Sequence, residues 1–150
     1  MNRRHWLGTT ILLLLAGCAG VGQDTKPTQI NASNVDKLYG RSFELRYMTL
    51  NGERIVTHVD ARMTIAFLPD GTAKGYGSVN QFSAGYSFGP DGKLTWSKGS
   101  FATTRKAGAP ELMEKERQFL EGLRQVDAAV VSPYGLQLEN DDGSTKLVFR

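Results

Sequence analysis

The chain has 150 residues, 40% of them hydrophobic and 22% charged, which is the content of one folded domain and its flanking segments. That hydrophobic fraction is too high for a disordered chain, and 17 glycines with 5 prolines are too few for a fibrous one. The formal charge of +3 is modest, and it depends on where the mature chain begins.

Met1-Asn2-Arg3-Arg4 is a basic start, the apolar run from Trp6 to Ala16 is too short to span a bilayer, and small residues follow it. The pattern predicts a signal peptide over residues 1–17. Leu15-Ala16-Gly17-Cys18 resembles the lipobox of bacterial lipoproteins, in which the cysteine thiol takes a diacylglycerol, the chain is cut before it, and the new amine is acylated, typically with palmitate. Two acyl chains anchor a protein stably where one does not. Cys18 is the only cysteine, so a disulfide within the chain has no second half. Ala19 stands where an aspartate typically retains such proteins at the inner membrane. The expected location is therefore the cell outer membrane, lipid-anchored through Cys18, with the domain facing the periplasm. Cleavage removes two of the 18 basic residues and none of the 15 acidic ones, so the mature chain is nearly neutral. A nucleic-acid partner is excluded, because no basic stripe survives.

Residues 18–33 are polar apart from Val21 and Ile30 and read as the lipidated N-terminus and a flexible tether, with a folded domain over 34–150. Asn34 to Leu38 can make one helical turn. Phe43, Leu45 and Tyr47 then alternate with Ser42, Glu44 and Arg46, the period of a half-buried strand. Asn51-Gly52 is a strong hairpin signal, so residues 53–59 are expected to return antiparallel. Met63, Ile65 and Phe67 alternate next, followed by a Leu68-Pro69-Asp70-Gly71 turn. The small residues around Gly75 and Gly77 mark a bend, a bulge or a close backbone approach. Gly89-Pro90-Asp91-Gly92 separates Tyr86-Ser87-Phe88 from Leu94-Thr95-Trp96 as another hairpin.

After Pro110 the period changes: Leu112, Glu116, Phe119, Leu120 and Leu123 share a helical face, and Glu111 with Lys115 and Arg117 with Glu121 are spaced as ion pairs. Strands over 126–131, 136–139 and 146–149 close the chain. The fold class is mainly β, an antiparallel, barrel-like meander of about eight strands with one helix near 110–125.

Chemistry-bearing residues are sparse. His58 and Asp60 lie two apart on an expected strand, yet no nucleophile turn accompanies them, and a surface histidine accounts for the pattern better. Metal binding lacks ligands, with one imidazole in the mature chain; Glu139, Asp141 and Asp142 read as turn chemistry. Gly75-Tyr76-Gly77-Ser78-Val79-Asn80 lacks the lysine and helix of a phosphate loop. No catalytic residue, metal or cofactor is expected. Tyr76, Tyr86, Phe88, Trp96 and Phe101 line a ligand cavity or fill the core.

Gly77-Ser78-Val79-Asn80-Gln81-Phe82-Ser83-Ala84-Gly85-Tyr86, then Thr103-Thr104-Arg105-Lys106-Ala107-Gly108, then Met113 to Leu120 resemble the successive motifs of the META domain family of heat-inducible bacterial lipoproteins. The family's Asn, Phe and Tyr fall on Asn80, Phe82 and Tyr86, its Thr-Arg on Thr104 and Arg105, and its helix glutamate on Glu116. Its two cysteines fall on Val79 and Gly108, a paired loss that reads as a lost bridge. The resemblance implies a small antiparallel barrel-like domain with one helix, in envelope proteins connected with heat shock, antibiotic tolerance or virulence, without an established reaction. The leading expectation is a non-enzymatic lipoprotein that binds a periplasmic protein or cell-wall partner. The alternative is a lipocalin-like carrier of a small hydrophobic ligand inside the barrel. Asn80, Arg105 and Glu116 are expected to form a buried polar network.

Overall fold

The computed structural model describes residues 26–57 and 60–150; the signal peptide, Cys18 and His58 lie outside the described residues. The alternating segments form strands where the period predicts them. β2 spans Phe43–Leu50 and β3 Glu53–Ile55, joined by Asn51 and Gly52 at φ 51° and 83°, the positive pair that a tight hairpin with the right twist requires. β4 (Met63–Phe67) buries Met63, Ile65 and Phe67 on one face. β5 (Thr72–Gly77) follows the Leu68–Gly71 turn, in which Gly71 has φ 80° and the Asp70 carboxylate accepts the Thr72 N–H. β6 (Gln81–Phe88) and β7 (Leu94–Trp96) pair as Tyr86 with Trp96 and Phe88 with Leu94.

One strand departs from the simple period. In β2, Phe43 is buried, but so are Met48 and Leu50, while Tyr47 is not. The register against the last strand shifts between Val148 and Phe149, so an extra β2 residue is inserted near Arg46 and the inward face changes parity. Tyr47 is left on the other face, with the Arg54 guanidinium 4.3 Å from its ring centre.

β8 is only Ala102–Thr103, pairing with β6. The helix α1 covers Pro110–Gln125, with Pro110 in its first turn, where no N–H partner is lost. β9 (Ala128–Ser132), β10 (Gly135–Glu139) and β11 (Lys146–Phe149) form a second meander. It does not follow on from β7 in space: β11 pairs with β2, giving the order β9-β10-β11-β2-β4-β5-β6-β7, all antiparallel. The sheet curls into a half-barrel. Its two ends are stitched by hydrogen bonds from Leu94 N to Asp127 O (2.6 Å) and from Ala32 N to Gly89 O (3.1 Å). α1 packs on β2, β5 and β11, with Phe119, Leu120 and Leu123 buried.

The ordered domain begins earlier than residue 34. β1 (Thr28–Gln29) pairs with β9, and Ile30, fully buried, donates its N–H to Ala129 O at 2.8 Å. Burying one isoleucine contributes about 1.5–3 kcal/mol, which together with the pairing to β9 holds this end of a polar segment in the sheet. The 3-10 helix Val35–Leu38 follows as expected, with Leu38 buried.

Candidate functional site

Glu116 occupies an apolar-stripe position on α1, and it is buried, only 5% exposed. A carboxylate there is tolerated when its oxygens are satisfied by hydrogen bonds. The turn between β5 and β6 supplies them: Val79 N and Asn80 N donate to Oε2 at 3.0 and 2.6 Å, and Asn80 Nδ2 donates to Oε1 at 2.8 Å. The approach depends on Gly77, because a Cβ there would lie 2.8 Å from Glu116 Cγ. Ser78 takes a positive φ of 96° and donates its hydroxyl to Leu112 O at 2.9 Å, tying the turn to the first part of the helix.

Asn80 carries the network onward. Its Oδ1 accepts from Thr104 Oγ1 (2.8 Å) and Lys106 N (2.7 Å), and Thr104 Oγ1 accepts from Gln81 N at 3.2 Å. Two side chains thus fasten three separate pieces of chain: the β5–β6 turn, the helix, and the segment after β8. Among the described residues no lysine or arginine is ion-paired with Glu116. The donors aimed at its oxygens belong to the protein itself, which is the work of a structural clamp.

The other motif positions divide. Phe82 is buried and meets Phe119 edge-on, with ring centres 5.8 Å apart. Tyr86 is buried, packs edge-on against Phe67 at 4.9 Å and donates its hydroxyl to Leu68 O at 2.7 Å; burial first, and then the Tyr39 hydroxyl, push its phenol well above its ordinary range. Arg105 is exposed and, among the described residues, makes no hydrogen bond or ion pair, so the expected Asn80–Arg105–Glu116 network is completed by Thr104 instead.

The remaining candidates do not assemble. β3 ends at Ile55 and Asp60 sits in a turn, so the expected strand does not extend to it, and His58 lies outside the described residues. Glu139 pairs with Lys146 at 3.3 Å, and Asp142 accepts the Ser144 N–H at 2.8 Å, as turn residues do. Arg117 pairs with Glu121 as expected and also with Glu114, whereas Lys115 reaches Gln118 and not Glu111. Gly75 belongs to β5, where a Cβ would run into Thr64 O. Tyr86, Phe88 and Trp96 pack around Phe67, and Phe101 lies against Trp96 with the Arg124 guanidinium 4.7 Å from its ring. With fully buried Phe43, Phe119 and Phe149, these rings belong to the hydrophobic core or pack against it. Tyr76 alone of the five stands outside, 37% exposed, in an open groove of about 680 Å³ on the outer face of β4, β5, β6 and β8. Thr64, Lys74, Gln81, Ser83 and Thr103 surround it.

Val79 and Gly108 meet: a Cβ on Gly108 would lie 3.4 Å from Val79 Cβ and 2.7 Å from its nearer methyl. The META domain family matches residues 36–150. The chain belongs to the META domain family. An NMR structure of a protein from Burkholderia xenovorans is similar in fold, with a TM-score of 0.62 and 22% identity over 99% of this chain and 97% of that one. No curated protein sequence matches the chain. In this META domain, the two positions at which the resemblance places cysteines are adjacent beside the hub formed by Glu116, Asn80 and Thr104, and valine methyls fill the place of a bridge.

Proposed function

We propose that this META domain protein is a non-enzymatic outer-membrane lipoprotein that binds a periplasmic protein or cell-wall polymer and supports envelope integrity under stress or antibiotic challenge. The observation that carries the reading is the spatial relation of hub to groove. Asn80 fixes Thr104 and Lys106, just after β8, to the β5–β6 turn, and β8 with Thr104 forms one wall of the outer groove. The motif therefore acts on the outside of the molecule by holding a surface rigid. Preorganised surfaces bind with less ordering cost, and an exposed aromatic ring set among hydroxyls and an amide suits an extended polymer or peptide strand. The lipobox-like Cys18 and the polar residues after it supply the anchor.

The test is in-cell photo-crosslinking of the full chain from position 76 in the groove and, as a comparison, from Arg117 on the exposed side of α1. Discrete adducts from position 76 that are absent from position 117 are expected. Identical patterns from both positions, or none from position 76, would overturn a groove partner. Intact mass of the membrane-extracted chain, set against Cys18→Ser, reads the lipid separately.

A further inference from the structure

We propose that the pole of the domain bearing Lys26, Lys37, Arg41 and Tyr134 docks on the anionic phospholipid headgroups of the membrane to which the chain is tethered. Lys26, Lys37 and Arg41 line one concavity of about 260 Å³ between the start of β1, the 3-10 helix and the end of β9, and no acidic side chain lines it. Among the described residues none of the three is ion-paired; Asp36, beside Lys37, pairs with none of them. Arg41 is held in position, with Nη2 donating to Ser132 O at 3.3 Å and its guanidinium 4.6 Å from the Phe43 ring centre. A second concavity shares Ser132 and adds Arg46 and Tyr134. Tyr134, in the β9–β10 turn, is 79% exposed. In a chain whose mature charge is nearly neutral, three cations and an exposed tyrosine on one pole are a marked asymmetry.

The occupant follows from the chemistry and from the covalent connection. Cationic side chains are attracted to an anionic lipid surface within a Debye length, and tyrosine sits at headgroup level with its ring down and its hydroxyl wet. This inference rests on the reading of Cys18 as lipidated. Lys26 lies eight positions after Cys18, a span of at most about 28 Å when extended, so the pole that carries Lys26 is the one kept at the membrane.

The chain from Ala19 contains the whole core, Ile30 to Phe149, and serves as the unlipidated probe. Its binding to vesicles of phosphatidylcholine containing about a third phosphatidylglycerol is compared with binding to pure phosphatidylcholine, at low salt and at ~0.5 M salt. Binding is expected to the anionic vesicles alone and to fall with salt. The Lys26→Gln/Lys37→Gln/Arg41→Gln variant is expected to bind on the order of 100-fold more weakly. Lys26→Gln/Lys37→Gln, which leaves the Arg41 contacts intact, is expected to lose about 30-fold. Equal binding to neutral vesicles, no binding to either, or wild-type binding by both variants would overturn the proposal. Failure of the lipid reading has a different signature: the membrane-extracted full chain would lack acyl mass while the vesicle binding of the probe persists.

Discussion

Two faces of one helix carry glutamates two residues apart, and they hold the molecule in opposite ways. Glu116 is buried and gives both oxygens to N–H groups of the β5–β6 turn, so it joins elements distant in sequence. Glu114 lies on the solvent side and pairs with Arg117, which also pairs with Glu121, all within the helix. There the Arg117 guanidinium holds the Glu114 carboxyl below its ordinary range through hydrogen bonding and charge, but water competes for the same contacts. A short ion pair on the surface is thus worth less than a neutral-looking set of N–H contacts in the interior. Burial, and not the distance between charges, decides the value.

That contrast can be broken most directly at Glu116. Glu116→Ala strands three donors inside the protein and is expected to lower unfolding stability by about 3–5 kcal/mol in denaturant titration, with the segment after β8 losing amide protection first. A loss below about 1 kcal/mol would put the hub on a level with the surface pairs. The adjacent Val79–Gly108 contact allows the opposite experiment. Val79→Cys/Gly108→Cys is expected to oxidise spontaneously and, by closing a loop of about 30 residues, to add about 3–4 kcal/mol; a free-thiol assay that still finds both thiols would sink it. Gly77→Ala forces a methyl against Glu116 and is expected to cost about 1–3 kcal/mol by the same titration. Arg117→Ala is expected to leave stability unchanged within the error of the same titration although it removes two ion pairs, and Arg105→Ala, which removes a motif residue, to change it by no more than ~0.5 kcal/mol.

A titrating group sharpens the same point at the sheet ends. Burial, followed by the nearby Asp141 charge, raises the Asp127 carboxyl, and its Oδ1 has no hydrogen-bond partner among the described residues. A carboxyl whose folded value lies above its unfolded one penalises the fold when ionised, and the penalty is relieved as pH falls through the raised value. Asp127→Asn is therefore expected to raise Tm slightly at neutral pH and to flatten its rise on mild acidification. A variant that melts below the wild type throughout would argue against it.

Much of the fold is legible in the sequence because its signals are local. Asn51-Gly52, Leu68 to Gly71 and Gly89 to Gly92 each specify a turn by backbone chemistry, and the stripe ending in Phe119, Leu120 and Leu123 specifies the helix. The pairing of β11 with β2 joins residues about a hundred positions apart and leaves no periodic trace, nor does the two-residue β1, whose signal reduces to Ile30. The bulge near Arg46 escapes for a related reason: alternation within β2 is real, but its phase is set by the partner strand. At the hub, the resemblance marked Asn80, Thr104 and Glu116, and only the geometry separates them from Arg105. What Glu116 does was hidden by its own position, since a charge on an apolar stripe reads as an interruption until the donors that face it are known.

The closure of the half-barrel bears on how such domains tolerate crowding. A sheet with free borders offers a ladder of unspent donors and acceptors to any neighbouring chain. Here the border strands have two and three residues, and the Leu94 and Ala32 amides are spent on Asp127 and Gly89 across the seam. Copies pressed together at high local density therefore meet side chain to side chain, and the step from close neighbours to a shared, fibre-forming sheet is removed by where the chain folds back on itself.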